Sequence, residues 1–351
     1  MRDSVDPAAN PFDGARGSPT TAAGASPSFY LNPILDWDFP DPAIIHDSDG
    51  YYYAYGTQSL HDGQWINIQV ARSADLVDWE YLGDALPEKP SWARTTQDFW
   101  APSVITDGTT YFIYYSATPD THQHHPERCH ALAVATATSP AGPFVDMGKP
   151  LLSGEGFEFI DPMAFDDPVT GKHLLYWGSG FRPIKVQELS ADRLSLAPGT
   201  EAIDLIRPNG KNGAFPRLVE AAWVIRRDGF YYLFYSGDNC CGPDAHYGVM
   251  VARSDCATGP FETLEQAKGV PHSLMLFRSD RWLAPGHNCV VEDAAGDSWI
   301  VYHAIDVNRP RQRQQDEINS RRILMIDRIE WNDGWPWVGT PSDEPQPAPV
   351  T

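Results

Sequence analysis

The chain has 351 residues and a formal net charge of −21 at pH 7, from 26 Lys and Arg against 47 Asp and Glu. This negative field repels phosphate backbones and anionic lipid, so nucleic acids and membrane surfaces are excluded as partners, whereas a neutral sugar is compatible with it. Aromatic residues form 12% of the chain, including 12 Trp and 15 Tyr, which favours an all-β architecture or a carbohydrate-facing surface.

The two ends of the chain differ in residue composition from its middle. Residues 1–28 are rich in Ala, Gly, Pro, Ser and Thr and carry no periodic apolar pattern, which predicts a disordered leader. The leader lacks the basic start and hydrophobic core of a signal peptide, so we expect a cytoplasmic protein, or an extracellular one if a signal has been removed. One domain is predicted over 29–340, followed by a Pro-rich tail over 341–351.

The first strand-like element follows the segment DFPDP (38–42), in which Asp41 stands between two prolines. Proline fixes its own φ and pushes the preceding residue toward extended conformations, so we expect a stiff, extended backbone at Asp41. A carboxylate held rigidly beside the ring of Phe39 suits a residue that must meet a substrate in one geometry. A Pro-Asp-Pro turn before an ordinary strand is the alternative.

An internal repeat runs through the rest of the chain. Each copy is a run of aromatic and aliphatic residues followed by a small or polar residue: GYYYAYGT (50–57), TYFIYYSA (110–117), KHLLYWGS (172–179), FYYLFYSG (230–237) and SWIVYHAI (298–305). The copies lie about 60 residues apart, and each is preceded by a shorter strand-like segment. Five such units predict an all-β, five-bladed β-propeller, and the regular spacing disfavours a β-sandwich.

The short segment before each aromatic run is the innermost strand of a propeller blade, so its first residue faces the central channel. Alignment of the repeats makes five positions equivalent: Asp41, Ala101, Asp161, Glu220 and Gly286. Three blades thus direct a carboxylate at one axis, where mutual repulsion should raise at least one pKa. Acceptance of strand-end amides is the structural alternative.

Three converging carboxylates match the needs of glycoside hydrolysis with inversion. That reaction uses one protonated acid at the leaving oxygen and one ionised base that activates water, with about 6.5–9.5 Å between them. A third carboxylate can keep the pKa of the acid high by repulsion. The sequence therefore predicts an active site in the central channel.

Six segments taken together resemble glycoside hydrolase family 43: NPILDWDFPDP, DFWAPSV, FIDPMAFDD, VEAAWVIRRDGFYYLFYS, APGHNCV and RRILMIDRIEW. The resemblance implies that Asp41 is the general base, that Glu220 is the general acid and that Asp161 tunes and orients the acid. The family's usual Glu-Gly-Pro reads Glu220-Ala221-Ala222 here. The opening typical of related fructoside-hydrolysing propellers is absent.

The same resemblance suggests four further site residues. Trp100 and, more weakly, Phe39 would form walls of the sugar pocket, although Trp100 suits a propeller core equally well. Arg322 would reach the ring hydroxyls of the sugar, with Arg321 as the neighbouring alternative. His287 would lie at the channel floor, where it could hold a water or a calcium ion. The chemistry itself is expected to need no cofactor.

These features predict an inverting hydrolase of plant cell-wall arabinan or arabinoxylan that cleaves α-L-arabinofuranosyl linkages. APGH and RRILMIDRIEW resemble the arabinan-active branch, but FPDP is also common in β-D-xylosidases. The usual β-xylosidase carries an additional β-sandwich domain for which this chain leaves no room. A catalytically inactive glycan-binding propeller is the alternative from another class, and the three carboxylates argue against it. Exo or endo action stays open.

Two cysteine- or histidine-containing segments remain. HQHHPERCH (122–130) contains His122, His124, His125, Cys129 and His130, but its irregular spacing favours a solvated loop over a zinc site. Reduced, buried thiols are expected for the five cysteines, with a disulfide as the alternative. The adjacent Cys240 and Cys241 have no role that the sequence shows and are predicted to lie near the pocket rim.

Overall fold

The structure is a computed structural model that describes residues 28–122, 129–211, 213–314 and 317–351. The predicted leader, apart from Ser28, lies outside the described residues. Five antiparallel sheets follow one another along the chain. The innermost strand of each sheet contacts that of the next, and the fifth contacts the first. This closed ring confirms the predicted five-bladed β-propeller.

The strands of the first three blades are ordered from the axis outward. Blade 1 contains Ala43–His46, Tyr52–Gly56, Gln69–Ser73 and Trp79–Asp84. Blade 2 contains Phe99–Thr106, Tyr111–Ala117, Cys129–Ala137 and Val145–Asp146, with Leu152–Glu155 also on its third strand. Blade 3 contains Met163–Asp166, His173–Trp177, Ile184–Glu188 and Ile203–Ile206.

The remaining two blades follow the same plan, with one exchange. Blade 4 contains Val219–Arg227, Phe230–Asn239, His246–Ser254 and Glu262–Thr263, with Leu274–Leu276 also on its third strand. Blade 5 contains Trp282–Glu292, Ser298–Asp306, Ile323–Arg328 and Leu35–Asp38. Its outermost strand comes from the start of the described chain, so blade 5 joins the two ends of the propeller.

Short elements decorate the blades. They are the strand pairs Phe29–Tyr30 with Gln346–Pro347, Ser59–His61 with Gln64–Ile66, Arg311–Gln314 with Glu317–Ser320 and Glu330–Asn332 with Trp335–Trp337, the 3-10 turns Asp120–His122 and Phe215–Arg217, and the helix Leu264–Lys268. The predicted Pro-rich tail packs on blade 5, where Val350 donates its N–H to Asp293. Among the described helices, none has the length and apolarity needed to cross a membrane.

The aromatic runs form the second strand of each blade, as the repeat predicts. Every residue of Tyr111–Ala117 is buried, and Phe230–Asn239 is buried in its middle eight positions. These strands lie between the innermost and third strands and are packed on both faces by neighbouring blades. Large β-favouring rings fill that space, which is why the runs lack the alternation of a half-exposed strand.

In each blade a residue in or just before the innermost strand, at an equivalent place in the repeat, has a left-handed backbone; we call these five the head residues. They are Asp41, Ala101, Asp161, Ala221 and His287, with φ of 57°, 49°, 58°, 57° and 46°. The predicted extended backbone at Asp41 is therefore wrong. The predicted alignment is also one residue early in blades 4 and 5, where Glu220 and Gly286 precede the head.

Each head is held by the preceding blade. The N–H groups of Ala101, Asp161 and His287 donate to hydroxyl oxygens of the preceding blade at 2.8, 3.1 and 2.8 Å, in the order Thr57, Ser116 and Ser236. The Asp41 N–H donates to Nδ1 of His303 at 3.1 Å. These polar residues end the aromatic runs, so the repeat carries a hydrogen bond from blade to blade. Such bonds fix otherwise unfavourable left-handed conformations.

Candidate active site

The three predicted carboxylates come together at the heads of blades 1, 3 and 4. Nδ1 of His287 lies 3.3 Å from Oδ1 of Asp41 and 3.9 Å from Oδ2 of Asp161. The N–H of Ala221, which follows Glu220, donates to Oδ2 of Asp161 at 3.1 Å. Asp41 and Asp161 expose only 7% and 6% of their surface. The channel therefore concentrates three acids with little water around them.

Asp41 is surrounded by hydrogen-bond donors. Nη1 of Arg322 donates to Oδ1 at 2.8 Å, and Oγ1 of Thr57 donates to Oδ2 at 2.5 Å. Burial alone would raise the pKa of this carboxyl, but Arg322 and the neighbouring imidazoles hold it well below its usual range. Asp41 is thus an ionised carboxylate at neutral pH, which is the state a general base needs.

The two histidines beside Asp41 are uncharged at neutral pH. Burial lowers the pKa of His287 to about 4 and also lowers the pKa of His303, despite the nearby carboxylate. Nδ1 of His303 accepts the Asp41 N–H, so the proton of its neutral ring lies on Nε2. The lasting positive charge next to Asp41 at neutral pH is therefore that of Arg322.

Both oxygens of Glu220 contact a hydroxyl. Ser179 donates to Oε2 at 2.5 Å and Tyr247 donates to Oε1 at 2.7 Å. A protonated Glu220 can instead donate to either hydroxyl oxygen, because hydroxyl hydrogens rotate. The ring of Tyr247 fits because Gly286 has no side chain: a Cβ there would lie 2.2 Å from Cδ1 of Tyr247.

Asp161 and Glu220 form a coupled acidic pair. Burial raises the pKa of Asp161 well above its usual range, and the charges of Glu220 and Asp41 add to the effect. Burial also raises the pKa of Glu220, although the hydroxyls of Ser179 and Tyr247 oppose the shift. The pair therefore keeps a proton to higher pH than an isolated carboxyl would. An ionised Asp41 and a proton-retaining pair face the same channel.

Trp100 borders the channel in blade 2, at the position that Glu220 holds in blade 4. Its ring lies 4.7 Å from the ring of His130 and is parallel, within 9°, to Phe157 at 6.5 Å. His130 in turn stacks on Phe157 at 4.9 Å. Trp100 is half-buried and Phe157 is 40% exposed. This ring stack provides a flat apolar wall of the kind that sugars pack on.

The other predicted site residues differ in how they are placed. Arg322 reaches Asp41, whereas Arg321 pairs with Asp36 at 2.6 Å. Phe39 has no exposed surface and packs on the backbone at Gly56. Its ring therefore supports blade 1 and does not present a face to a sugar, so the predicted sugar contact of Phe39 is wrong.

Within the described ranges, no group of three or more His, Cys, Asp or Glu side chains is arranged to hold a metal ion. His287 lies next to two carboxylates, but one of them is already bound by Arg322. The axial calcium stays a prediction. His124 and His125 of the zinc hypothesis lie outside the described residues.

Cys240 and Cys241 are joined by a disulfide bond, so the expectation of reduced thiols is wrong for this pair. Cys240 packs against the small apolar cluster that contains Tyr247. The pair therefore lies close behind a residue that contacts Glu220.

Four residues around the carboxylates were not found from the sequence: Thr57, Ser179, Tyr247 and His303. Three of them follow or end an aromatic run, so the polar position of the repeat was a usable signal. Tyr247 lies in the third strand of blade 4, where no sequence pattern indicates a site residue. Only the blade geometry brings its hydroxyl to Glu220.

Comparison with known proteins agrees with this architecture. A sequence model described as Glycosyl hydrolases family 43 matches residues 30–336. The beta-D-galactofuranosidase xynD of Aspergillus niger is 29% identical over 319 residues, covering 86% of this chain and 82% of the relative. The extracellular endo-alpha-(1->5)-L-arabinanase 1 of Bacillus subtilis is 27% identical over 334 residues, covering 90% and 92%.

A solved structure extends the likeness to three dimensions. The crystal structure of a thermostable family-43 glycoside hydrolase has a TM-score of 0.72 and 30% identity, and the match covers 92% of this chain and 99% of that one. The fold, the family match and the channel carboxylates agree. The chain is a glycoside hydrolase and belongs to glycosyl hydrolase family 43.

Proposed function

We propose that this enzyme hydrolyses α-L-arabinofuranosyl linkages of arabinan and its oligosaccharides with inversion at the anomeric carbon. The observation that carries the proposal is the division of protonation states in the channel. Asp41 is held ionised beside Arg322, while the Asp161–Glu220 pair retains a proton. Inverting hydrolysis requires this combination of one ionised base and one protonated acid.

In the proposed reaction, Glu220 gives its proton to the glycosidic oxygen as the bond from that oxygen to the anomeric carbon breaks. Asp41 takes a proton from a water molecule whose oxygen bonds to the opposite face of the same carbon. Asp161 positions the acid through the Ala221 N–H, and repulsion between the two carboxyl groups helps to keep a proton on the pair. Arg322 and Trp100 bind the sugar at the reacting position. Proton exchange with solvent restores both carboxyl groups.

The choice of sugar rests on the relatives. The relative from Bacillus subtilis is named an endo-alpha-(1->5)-L-arabinanase and that from Aspergillus niger a beta-D-galactofuranosidase. The APGH and RRILMIDRIEW segments resemble the arabinan-active branch. We therefore favour arabinan over xylose-containing substrates. The relative from Bacillus subtilis is also named extracellular, which supports action outside the cell.

A substrate panel with product analysis tests the proposal. The panel contains linear arabinan, arabinotetraose and the nitrophenyl glycosides of α-L-arabinofuranose, β-D-xylose and β-D-galactofuranose. We expect turnover of the arabinose substrates and, by proton NMR, a first-formed arabinose of inverted configuration. Preference for the xyloside or galactofuranoside would replace the proposed sugar, and net retention would overturn the proposed mechanism.

A further inference from the structure

A band of aromatic side chains lies on blades 2, 3 and 4, on segments next to those that carry Trp100, Asp161 and Glu220. We call it the aromatic arc: Trp100, His130, Phe157, Phe181, Phe215 and His246. In blade 4, Phe215 stacks on His246 at 4.2 Å. Phe157 and Phe181 are 40% and 63% exposed, although each lies within four residues of a group at the active site. Exposed rings next to a site are common in ligand-binding surfaces.

The arc passes beside the proposed acid. Phe181 follows Ser179, whose hydroxyl donates to Glu220 at 2.5 Å. Gly180 lies between them, and a Cβ on this glycine would be 3.7 Å from Cβ of Phe157. The two exposed rings therefore belong to adjoining segments, one that leads into Asp161 and one that contacts Glu220.

Phe181 is held from the other side by a charged group. The guanidinium of Arg217 lies 5.5 Å from the ring centre of Phe181. Nε and Nη2 of Arg217 both donate to Oδ1 of Asp238, at 2.8 and 2.6 Å, and Nδ1 of His246 contacts Oδ2 at 2.8 Å. Arg217 is thus fixed in place over the ring, and its remaining N–H groups can serve as donors to hydroxyl oxygens.

Blade 5, next to the Arg322 that binds Asp41, has a different chemistry. There Asp36 binds Arg309 at 2.8 Å and Arg321 at 2.6 Å, in an ion-pair cluster whose Asp36 and Arg309 are exposed. A bound sugar chain that extends from the reacting position across this cluster would displace water from charged groups. A bound sugar chain that extends across the aromatic arc would cover apolar rings, which favours binding.

Resting on the proposed function, we propose that Phe157, Phe181 and Arg217 form the leaving-group subsite of the enzyme. The acid protonates the oxygen that joins the reacting sugar to the next one, so that next sugar must lie on the Glu220 side of the channel. The rings pack on the C–H faces of this arabinosyl unit, and Arg217 donates to its hydroxyls. The subsite thereby selects arabino-oligosaccharides over glycosides with small leaving groups.

The test compares two substrates that share the reacting sugar but differ in the leaving group. Arabinotetraose carries arabinosyl units into the subsite, whereas methyl α-L-arabinofuranoside releases methanol, which is too small to reach the rings. The variant Phe181→Ala, which leaves the Trp100–His130–Phe157 stack intact, should lose about tenfold or more in kcat/KM on arabinotetraose, the scale expected for uncovering apolar ring surface. Its kcat/KM on the methyl glycoside should stay within about twofold of the parent.

Phe29→Ala is the matched control, because Phe29 is 60% exposed but lies on the strand that pairs with Gln346–Pro347 in the tail. It should leave both substrates unaffected. Equal losses on both substrates, or no loss on arabinotetraose, would overturn the subsite while leaving the proposed function standing. If the folded parent fails to cleave arabinotetraose, the proposed function falls, and the subsite with it.

Discussion

At the scale of single residues, the site depends on one fixed charge. Arg322 contacts Asp41 directly, while both nearby histidines are neutral at pH 7. A general base that stays ionised in acid lets the enzyme work below neutral pH. The acidic limb of the pH profile is therefore expected to report on Asp41, and the alkaline limb on the coupled pair.

Replacement of Arg322 by Met should move the acidic limb to higher pH. Without the guanidinium, the effect of burial on the Asp41 carboxyl is opposed less strongly, so the pKa of Asp41 should rise. Activity would then be lost on acidification from a higher starting pH. The measurement is kcat against pH on nitrophenyl arabinofuranoside. Arg321→Met serves as the control, since Arg321 pairs with Asp36; an unmoved acidic limb in Arg322→Met would contradict the role of Arg322.

Asp161→Asn should move the alkaline limb to lower pH. The substitution removes one member of the acidic pair and with it the repulsion between the two carboxylates, so Glu220 should lose its proton at a lower pH. The acid is then missing at pH values where the parent still works. An alkaline limb in the same place, or one shifted upward, would show that Asp161 does not tune the acid.

Glu220→Gln should reduce turnover by about a hundredfold or more on arabinotetraose, because the acid is lost while the shape of the side chain is kept. Binding of arabinotetraose, followed by calorimetry, should persist. Glu292→Gln, at the far end of the innermost strand of blade 5, is the control. Near-normal turnover by Glu220→Gln would mean that the acid is a different residue.

At the scale of elements, the innermost strand of blade 5 controls the acid from a distance. Gly286 lies against the ring of Tyr247, and Tyr247 contacts Glu220. A methyl group at position 286 cannot be accommodated without moving that ring. The requirement for a small residue at this place arises from a neighbouring blade, so the APGH motif is explained by packing as well as by chemistry.

Gly286→Ala should therefore lower kcat by about tenfold or more, with the three carboxylates unchanged, because Tyr247 no longer holds Glu220 in position. Tyr247→Phe keeps the ring and removes only the hydroxyl, so comparison of the two variants separates displacement from loss of the hydrogen bond. Both are measured on nitrophenyl arabinofuranoside together with the unfolding midpoint. Full activity in Gly286→Ala would contradict the close contact.

The elements also show what sequence reasoning can and cannot supply. The aromatic runs predicted five second strands, because large β-favouring residues at a regular spacing have few other uses. The register at the heads could not be predicted. Left-handed residues and the adjoining bulges offset the pairing, so Ala221 and His287, one residue past the aligned positions, are the true heads.

The same limits apply to the candidate site. The three carboxylates, Arg322 and Trp100 lie in the region predicted for them. Asp41 was expected to be extended because it precedes a proline, but hydrogen bonding to His303 imposes the left-handed form. Tyr247 was missed because its contact with Glu220 spans two strands of blade 4 and no local pattern marks it. Ser179 lies at the polar position of the repeat, but its contact with Glu220 joins blade 3 to blade 4 and could not be read from that position alone.

At the scale of the whole molecule, closure of the propeller depends on a strand borrowed from the start of the domain. Leu35–Asp38 completes blade 5 by pairing with the strand that follows Arg322. Leu35 is only 4% exposed and belongs to the cluster between blades 5 and 1. The contact joins parts of the chain that are nearly 300 residues apart, so it forms only when the ring is complete.

Leu35→Ala should destabilise the protein by about 2–5 kcal/mol, the usual range for a buried leucine. Leu60→Ala, in the half-buried hairpin of blade 1, should have a smaller effect. Chemical denaturation gives both values. Equal destabilisation by the two variants would mean that the closing strand contributes no more than a surface hairpin.

The hydrogen bonds that link each blade to the head residue of the next blade differ at one position. Blades 1, 2, 4 and 5 each offer a hydroxyl or an imidazole to the head of the next blade, but blade 3 has Gly178 at that point. The Ala221 N–H turns instead to the carboxylate of Asp161. A group that takes part in the chemistry thus also completes the circular support of the fold, and selection at this aspartate acts on assembly and on catalysis at once. An amide can replace it in the first role while failing in the second.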